Sequence, residues 1–467
     1  MSISEERIAQ IVKEVTAQVS GGTFSAGSDD GIFDDINAAI AAAKKAQKEL
    51  VAFSLEKRES FIKAMRKAAI DNAEYLSKLA HEETGYGRIE DKIAKHLLVA
   101  NKTPGTEDLV PKAYTGDNGM SLEERAPYGV IGAITPSTNP TATIVNNSIS
   151  MVSAGNAVVF NPHPAAKNCT NEAIKIMNRA IMSAGGPANV LVAAKEPTLD
   201  KSKVVMTSPD IKMLAVTGGE AVVAVAMKSG KKCISAGPGN PPVIVDETAN
   251  IKEAAKNIVA GASFDNNILC IAEKEVIVVD SVADELVREM VKCGAYLANS
   301  VQTQKIVETV VTTTKEGKNA PNKKFVGRNA NVILEAAGIP TDRDNKLVIM
   351  ETPFEHVLVH TEMLMPVVPV VRVKNVEEAI AKAVIAEHEC HHTAMMHSEN
   401  VNNLTAAARA LDTTIFVKNA PSYAGVGFNG EGYATLTIST PTGEGLTSAK
   451  NFSRTRRCTM YGAFRIV

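Results

Sequence analysis

From Gly129 onward, short apolar runs, glycine-containing turns and helical stretches alternate along the chain. This order is typical of strands that crossover helices join into a parallel sheet. The chain has 467 residues, too many for one simple core, which favours two or three domains. We therefore predict an α/β fold. The apolar runs interpreted as strands are 129–134, 157–160, 213–216, 242–245, 275–279 and 367–373.

Charge and composition exclude several functional classes. The formal net charge is −2, so the chain offers no basic field to nucleic acid or to an anionic membrane. No apolar run approaches the roughly 20 residues of a membrane helix, and the first residues lack the pattern of a secretory signal. The 6 cysteines are scattered without a Cys-x-x-Cys pair. That spacing disfavours a disulfide framework or a zinc ribbon and favours a reducing compartment.

The first 20 residues differ from the rest of the chain. Apolar residues recur there at helical spacing, which predicts a short amphipathic helix over 1–20. Residues 21–34 are mostly small and polar, which predicts a flexible linker. A helix this short gains stability by docking on a partner, although it can also pack on its own domain. The apolar residues are Ile8, Ile11, Val12, Val15 and Val19.

Three polar segments suggest a chemical site. Asn139 lies in the loop 134–140 after a strand, where such sheets bind ligands, and its amide can donate to a developing oxyanion. Cys270 ends the asparagine-rich segment 261–270, a setting that suits a reactive thiolate. Glu362 precedes an apolar run and can bind a ribose diol. Taken singly, the Asn139 loop is better explained as a plain proline-bounded turn and Cys270 as a small buried hydrophobe, whereas Glu362 is equally well a solvated loop residue.

In this order and spacing the segments resemble the aldehyde dehydrogenase superfamily, over nearly the whole chain from about residue 35. The resemblance implies that Cys270 is the nucleophile, that Asn139 belongs to the oxyanion hole and that Glu362 contacts the nicotinamide-side ribose of NAD. It also implies that a helix N-terminus faces the cofactor pyrophosphate, a reasonable anion site. The other positions that match cofactor-binding segments are Ile134, Thr135, Pro136, Asn161, His163, Thr217, Gly218 and Gly219.

The resemblance also implies an architecture. It consists of a Rossmann-type cofactor domain, an α/β catalytic domain and a β arm for assembly into a homodimer or homotetramer. We assign residues 35–111 and 128–235 to the NAD- and CoA-binding domain, and 236–432 to the catalytic domain. Residues 112–127 and 433–467 are assigned to the oligomerisation arm and the return to the cofactor domain.

The departures from hydrolytic members of the superfamily are informative. Those members carry a Glu-Leu-Gly-Gly-Lys run whose Glu activates water, whereas residues 236–240 here read Ala-Gly-Pro-Gly-Asn. Their adenosine-strand Lys is Asn161, and their Gly-Gln before the cysteine is Asn267-Ile268. Without a base, neutral water attacks a thioester slowly, whereas a thiol with a pKa of about 8.5 is already partly thiolate at neutral pH. These features, with Pro-His-Pro at 162–164, resemble the CoA-acylating branch, so CoA is the expected co-substrate.

Segments near both ends of the chain resemble one group within the CoA-acylating branch. The N-terminal helix with its linker, and Phe-Ser-Arg-Thr-Arg-Arg-Cys at 452–458, are similar to the propionaldehyde and acetaldehyde dehydrogenases of bacterial microcompartments. In that group the N-terminal helix directs the enzyme into the protein shell. The resemblance thus implies a shell-protein partner for residues 1–20 and a location inside a microcompartment of the bacterial cytoplasm. The residues leave open the choice between acetaldehyde and propionaldehyde, and NAD over NADP is a family expectation.

A histidine-rich tract permits two functions. His388, Glu389 and His392 form an HExxH pattern, which in a zinc metalloprotease supplies two ligands and a base. No third ligand follows at the required spacing, so no metal site is expected. In a dehydrogenase, His388 near Cys270 takes the proton of the incoming CoA thiol, with His392 as the second choice. The plain alternative is that these are surface histidines without a role.

Two further hypotheses are disfavoured. Residues 425–430 fit the GxGxxG pattern, but the residues that follow favour a strand rather than the helix that a dinucleotide fingerprint requires. A non-catalytic shell scaffold would need only the N-terminal helix. The joint presence of Cys270, Asn139 and Glu362 argues against that class.

Overall fold

The structure is a computed structural model that describes residues 30–314 and 317–467. The predicted helix at 1–20 and most of the predicted linker at 21–34 lie outside the described residues. The linker prediction is wrong at its end, because Ile32–Phe33 forms a strand that pairs in parallel with Ala193 and Ala194. Both apolar side chains are buried, and this burial outweighs the turn tendency of the neighbouring glycine and aspartates.

The first part of the chain has consecutive helices up to Lys102, and from Val130 onward strands and helices alternate as predicted. Two short 3-10 helices lie between these elements, at Thr106–Asp108 and Pro164–Ala166. The elements are β1 (Ile32–Phe33), α1 (Ile36–Leu50), α2 (Leu55–Asp71), α3 (Ala73–Thr84), α4 (Ile89–Lys102), β2 (Lys112–Gly116), β3 (Gly119–Pro127), β4 (Val130–Ile134), α5 (Pro140–Ser153), β5 (Ala157–Asn161), α6 (Lys167–Ser183), β6 (Leu191–Ala194), α7 (Leu199–Thr207), β7 (Ile211–Thr217), α8 (Glu220–Met227) and β8 (Lys232–Ala236).

These strands form a parallel sheet in the order β1-β6-β5-β4-β7-β8. Alternate side chains of each strand enter different cores. Ile131 and Ala133 of β4 pack with helices α2, α5 and α6, whereas Val130 and Ile134 pack with α1, α7 and α8. Both faces are therefore covered, which explains why the strands read as continuous apolar runs without polar alternation.

The second part of the chain repeats this pattern. Short 3-10 helices lie at Phe264–Asn267, Ser422–Val426 and Ala449–Phe452. The elements are β9 (Pro242–Val245), α9 (Ile251–Ser263), β10 (Glu275–Val279), α10 (Asp280–Lys292), β11 (Ala295–Ala298), α11 (Ser300–Val310), β12 (Val311–Thr313), β13 (Asn319–Pro321), α12 (Ala330–Ala336), β14 (Leu347–Glu351), β15 (Val367–Val373), α13 (Val376–Ala386), β16 (Thr393–His397), α14 (Val401–Leu411), β17 (Ile415–Lys418), β18 (Ile438–Ser439), β19 (Gly445–Leu446) and β20 (Ser453–Tyr461).

A second parallel sheet has the order β11-β14-β15-β10-β9-β16-β17. Helices α9 and α10 pack on one face through residues such as Ile258 and Leu286, and α13 and α14 pack on the other. The predicted α/β class is thus confirmed. The NAD- and CoA-binding and catalytic domains that we propose follow the two sheets, which lie on either side of the segment 237–241.

The predicted arm segments meet in a third, antiparallel sheet. Strand β3 pairs with β2 and with β20, from Ser453 opposite Pro127 to Tyr461 opposite Gly119. The side chains of β2 and most of those of β20 are exposed. In the described part of the chain, no helix is both long and apolar enough to cross a membrane.

Candidate active site

The loop before Cys270 has an unusual backbone. Asp265, Asn266 and Asn267 adopt φ values of 47°, 54° and 63°, in the left-handed region that costs most residues about 1–2 kcal/mol each. Aspartate and asparagine tolerate this region because their side chains bond nearby backbone. Asn267 Nδ2 donates to the carbonyl oxygens of Ala262 and Glu273, both at 2.8 Å. The asparagine-rich segment is therefore a requirement of the turn that presents Cys270.

Cys270 is half-buried at the end of this turn. The buried Lys274 holds the turn, since its Nζ donates to Asn267 O at 2.9 Å, to Asn267 Oδ1 at 2.5 Å and to Leu269 O at 3.0 Å. Burial and the nearby Glu362 carboxylate raise the pKa of the Cys270 thiol to about 12, and Lys274 only partly offsets them. The thiol is thus protonated at neutral pH in the unliganded protein.

Gly239 lies between Cys270 and two other candidate residues. A Cβ added there would lie 2.8 Å from the Cys270 carbonyl oxygen and 3.0 Å from Cγ of the His392 ring. The Gly239 N–H also stabilises the Glu362 carboxylate. Burial nevertheless raises the pKa of Glu362 to about 6. The run Ala-Gly-Pro-Gly-Asn at 236–240 therefore lets the chain pass closely behind the thiol.

Cys270 and Asn139 line the same cavity, as does Lys95. Asn139 immediately precedes α5, as expected for a residue at the end of a strand-to-helix loop. The rings of Phe264, Tyr423 and Phe428 contact one another at centroid distances of 5.2–5.5 Å in one wall. The rest of the lining is mostly apolar and comprises Leu98, Leu269, Ile271, Val426, Thr435, Leu436 and Ile438.

A buried ion cluster adjoins Asn139, and nothing in the sequence alone indicates it. The Asp265 carboxylate pairs with Lys95 and, at 3.2 Å, with Lys92, while Lys95 Nζ also donates to Asn139 Oδ1. Burial lowers the pKa of Lys95 to about 8, although Asp265 opposes that shift. Both lysines belong to the charged run 90–95 of α4, which is typical of a solvated helix face. In the folded chain both are buried instead, and Lys95 pairs with Asp265, 170 positions along the chain.

The predicted cofactor residues lie at one edge of the first sheet. Thr135, Asn161 and Thr217 stand at the carboxyl ends of β4, β5 and β7, which are neighbours in the sheet. Thr135 Oγ1 and Asn161 Oδ1 are buried and have no hydrogen-bond partner among the described residues. The space around Gly219, just before α8, is open. Orphaned polar atoms and an open helix N-terminus fit a polar, anionic ligand.

The remaining cofactor candidates have different settings. The Ile134 side chain is buried in the apolar core, so only its backbone is suited to contact a ligand. Pro136 is half-buried in the loop that follows. His163 is exposed, and its Nδ1 accepts from Ala165 N–H at 3.1 Å.

The histidine tract does not form the helix that a zinc protease needs. Helix α13 ends at Ala386, and His388, Glu389 and His391 have φ values of 59°, 56° and 50°. The two histidines of the HExxH pattern therefore do not share a helix face, and the metalloprotease alternative is wrong. The GxGxxG pattern at 425–430 lies in a 3-10 helix and turns, and it does not open a helix as a dinucleotide fingerprint would.

The two histidine candidates differ in access. His392 is fully buried, and its Nε2 has no partner among the described residues. His388 is exposed, and its ring lies 5.6 Å from that of His360. Partial burial and His360 lower the pKa of His388, so its imidazole is neutral at pH 7. His388 is not among the residues that line the cavity with Cys270.

Comparison with known proteins places this site in a family. The model of the aldehyde dehydrogenase family matches residues 14–434. The chain belongs to the aldehyde dehydrogenase family. It is 49% identical over 469 residues to the acetylating acetaldehyde dehydrogenase EutE of Salmonella typhimurium, covering 100% of both chains. It is 47% identical over 437 residues to the CoA-propanoylating propanal dehydrogenase of the same organism, covering 93% of each. The family predicted from the sequence is thus confirmed.

Solved structures agree with this family assignment. A Rhodopseudomonas palustris propionaldehyde dehydrogenase with bound CoA and an acylated cysteine superposes with a TM-score of 0.92 at 46% identity, covering 94% of this chain and 100% of that one. A propionaldehyde dehydrogenase from a fucose-utilisation microcompartment of Clostridium phytofermentans has a TM-score of 0.92 at 49% identity, with the same coverage. A cysteine-to-alanine and a histidine-to-alanine mutant of the latter are also known.

Proposed function

We propose that this chain is a CoA-acylating aldehyde dehydrogenase. It converts a short-chain aldehyde, CoA and NAD to acyl-CoA and NADH through a thioester on Cys270. The observation that carries the proposal is the shared cavity of Cys270 and Asn139, whose walls are otherwise mostly apolar. A thiol and an amide donor that flank an apolar space suit the carbonyl of a small aldehyde.

The first step is addition of the Cys270 thiolate to the aldehyde carbonyl. The raised pKa of the resting thiol means that the thiolate forms only when its proton is removed or its surroundings change on ligand binding. Asn139 Nδ2 and the Cys270 backbone N–H are the donors that we assign to the resulting oxyanion. The apolar walls exclude water from the adduct.

The residues at the sheet edge fit the dinucleotide. We assign Thr135, Asn161 and the turn 217–219 to its adenosine and pyrophosphate, with the other candidates Ile134, Pro136 and His163 beside them. Glu362 is assigned to the nicotinamide-side ribose, and its proximity to Cys270 supports that placement. When bound, the nicotinamide accepts the hydride that leaves the Cys270 adduct. The residues themselves do not favour NAD over NADP, and an engineered structural neighbour holds NADP+.

The thioester is then transferred to CoA rather than to water. Ala236 is buried at the end of β8, where hydrolytic relatives carry a glutamate, and an alanine cannot activate water. We assign to His388 the removal of the proton from the CoA thiol, because a bulky co-substrate can reach an exposed imidazole but not the buried His392. The mutated cysteine and histidine of the Clostridium neighbour are separated by the same number of positions as Cys270 and His388, which supports this choice.

The test is NADH formation from C2 to C4 aldehydes, with NAD or NADP and with or without CoA. The expected result is turnover that requires CoA and is lost in Cys270→Ala. Equal rates with and without CoA would favour the second candidate, a hydrolytic aldehyde dehydrogenase. Two half-reactions on one thiol also predict ping-pong kinetics.

Assembly is a separate part of the proposal. The exposed antiparallel sheet of β2, β3 and β20 is assigned to a homodimer or homotetramer interface, and residues 1–20 to a shell protein of a bacterial microcompartment. The microcompartment origin of one structural neighbour supports this location. Removing residues 1–20 should leave the specific activity unchanged and abolish association with shells. Loss of folding on removal would show that the segment is structural instead.

A further inference from the structure

The buried Lys95 is not explained by the roles assigned above. It lies on α4 with 4% of its side chain exposed, yet it reaches the cavity that holds Cys270. Its Nζ donates to two oxygens, Asp265 Oδ2 and Asn139 Oδ1. Burying an ammonium group is costly unless it is paired, and this one is paired on one side with a carboxylate and on the other with the proposed oxyanion donor.

We propose that Lys95 is a positioning residue that fixes the Asn139 amide with its N–H groups toward the reacting carbonyl. This inference rests on the proposed function, because it assigns Lys95 a role in the same site. An ammonium group has only donors, so the Asn139 atom that faces it must be the amide oxygen. The Nδ2 group, which has no acceptor among the described residues, is then turned away from Lys95 and left for the oxyanion.

The charges around Lys95 support a second effect. Asp265 and Asp91 favour its charged form, and Lys92 opposes it, while the nearby His96 is held neutral by burial, which lowers its pKa to about 4. A cation on the amide oxygen polarises the amide and strengthens Nδ2–H as a donor. Deprotonation of Lys95 weakens this effect without breaking the contact, since a neutral amine still donates.

Lys92 provides the matched control. It lies on the same helix, is equally buried and pairs with the same Asp265 carboxylate at 3.2 Å. It does not, however, line the cavity, and its bond to Asp265 is its only side-chain hydrogen bond to the site within the described residues. If Lys95 only neutralised Asp265, Lys92→Met and Lys95→Met would behave alike.

The test compares two reactions of Cys270 that need neither aldehyde, NAD nor CoA. With p-nitrophenyl acetate, the thiolate forms a bond to the acetyl carbon through an oxyanion, and p-nitrophenolate leaves with the bonding electrons. With iodoacetamide, the thiolate displaces iodide from a methylene carbon and no oxyanion forms. The ratio of the two rates isolates the oxyanion contribution, because thiolate ionisation cancels. Failure of the aldehyde or CoA assignment would leave this measurement intact.

Lys95→Met should lower the ratio by about 10- to 100-fold, less than the roughly 100- to 1,000-fold of a lost oxyanion donor, because the Asn139 amide stays in place and loses only its orientation. Lys92→Met should leave it within a few-fold of the wild type. In Asn139→Ala, adding Lys95→Met should cause no further loss, because Lys95 acts through Asn139. Equal losses in the two lysine variants, an unchanged ratio in Lys95→Met, or additive losses with Asn139→Ala would each overturn the proposal.

A measurement on the unaltered lysine covers the case in which Lys95→Met does not fold. In the wild type, the ratio should fall as pH rises through about 8, where Lys95 loses its charge. Asn139→Ala should show no such decline, because its side chain no longer connects Lys95 to the oxyanion. A wild-type ratio that stays constant from pH 6 to 10, or the same decline in Asn139→Ala, would refute the role of Lys95.

Discussion

Replacing Gly239 with alanine is the most direct test of how closely the chain passes behind Cys270. The φ angle of Gly239 lies outside the left-handed region, so alanine can adopt its backbone conformation and the cost arises from contacts alone. The new Cβ would lie 2.8 Å from the Cys270 carbonyl oxygen and 3.0 Å from His392 Cγ. Ordinary contacts of this kind are several tenths of an ångström longer, so one neighbour must move.

Neither neighbour moves easily. The His392 N–H donates to the Glu387 carboxylate at 2.7 Å, and Lys274 holds the turn just before Cys270 through the Leu269 carbonyl oxygen. Overpacking of this kind costs about 1–3 kcal/mol of the free energy of unfolding. Because misplacement by about 1 Å can cost about 100-fold in rate, a smaller displacement of Cys270 should lower kcat/KM by about 10-fold or more.

The assay combines thermal unfolding with CoA-dependent NADH formation. Gly116→Ala is the control, since no atom of the described chain lies within 4 Å of a Cβ at that position; because β2 belongs to the proposed interface, its assembly is compared with the wild type by light scattering. We expect a lower Tm and a lower kcat/KM for Gly239→Ala, and wild-type values for Gly116→Ala. Wild-type stability and activity in Gly239→Ala would refute the close approach, and lower stability with unchanged kcat/KM would show that the approach does not position Cys270.

Three further predictions concern the same cavity and its loop. Glu362→Gln should lower the pKa of Cys270 and therefore speed alkylation of its thiol at pH 8. The difference from the wild type should vanish below about pH 6, where the wild-type Glu362 is itself protonated. Equal alkylation rates at pH 8 would contradict the proximity of the two groups. Phe428→Ala should enlarge the cavity at its aromatic wall and raise kcat/KM for longer aldehydes relative to acetaldehyde by about 4-fold per methylene, as measured over C2 to C5 substrates. An unchanged order of kcat/KM among these aldehydes would show that the wall does not contact the substrate. Asn267→Ala should destabilise the chain by about 1–2 kcal/mol more than Asn267→Gly in urea unfolding, because only glycine adopts a φ of 63° without strain; equal losses would assign the whole effect to the lost hydrogen bonds.

The six strands predicted from the sequence all belong to the two parallel sheets, whose faces are both covered by helices. Buried strands such as Val130–Ile134 read as uninterrupted apolar runs, and local composition suffices to find them. The resemblance to the family then indicated Cys270 and Asn139, which the structure places in one cavity. The asparagines before Cys270 were visible in the sequence, but their left-handed backbone was not, because the turn also makes contacts with residues far along the chain, such as the bond from Asn266 Nδ2 to Gly327 O at 2.9 Å.

The sequence could not indicate Lys95 or the place of Gly239. A lysine in a charged helical segment is ordinarily solvated, and its burial follows only from the packing of α4 against the Cys270 loop. The metalloprotease hypothesis, already disfavoured by its missing third ligand, fails for a local reason. Its HExxH spacing suggests a helix, but α13 ends before it, and the left-handed φ of His388 separates the two histidines. For Lys95 and Gly239, by contrast, the decisive contact joins residues of different elements.

We propose that the Cys270 thioester is transferred to CoA and not to water. This transfer is tested by intact-protein mass measurement after the enzyme is mixed with propionaldehyde and NAD in the absence of CoA. We predict a mass increase of one acyl group on the wild type, absent in Cys270→Ala, that persists in buffer and disappears on addition of CoA as acyl-CoA appears. Rapid loss of the acyl group to water as free carboxylate, or an adduct that remains in Cys270→Ala, would contradict the account.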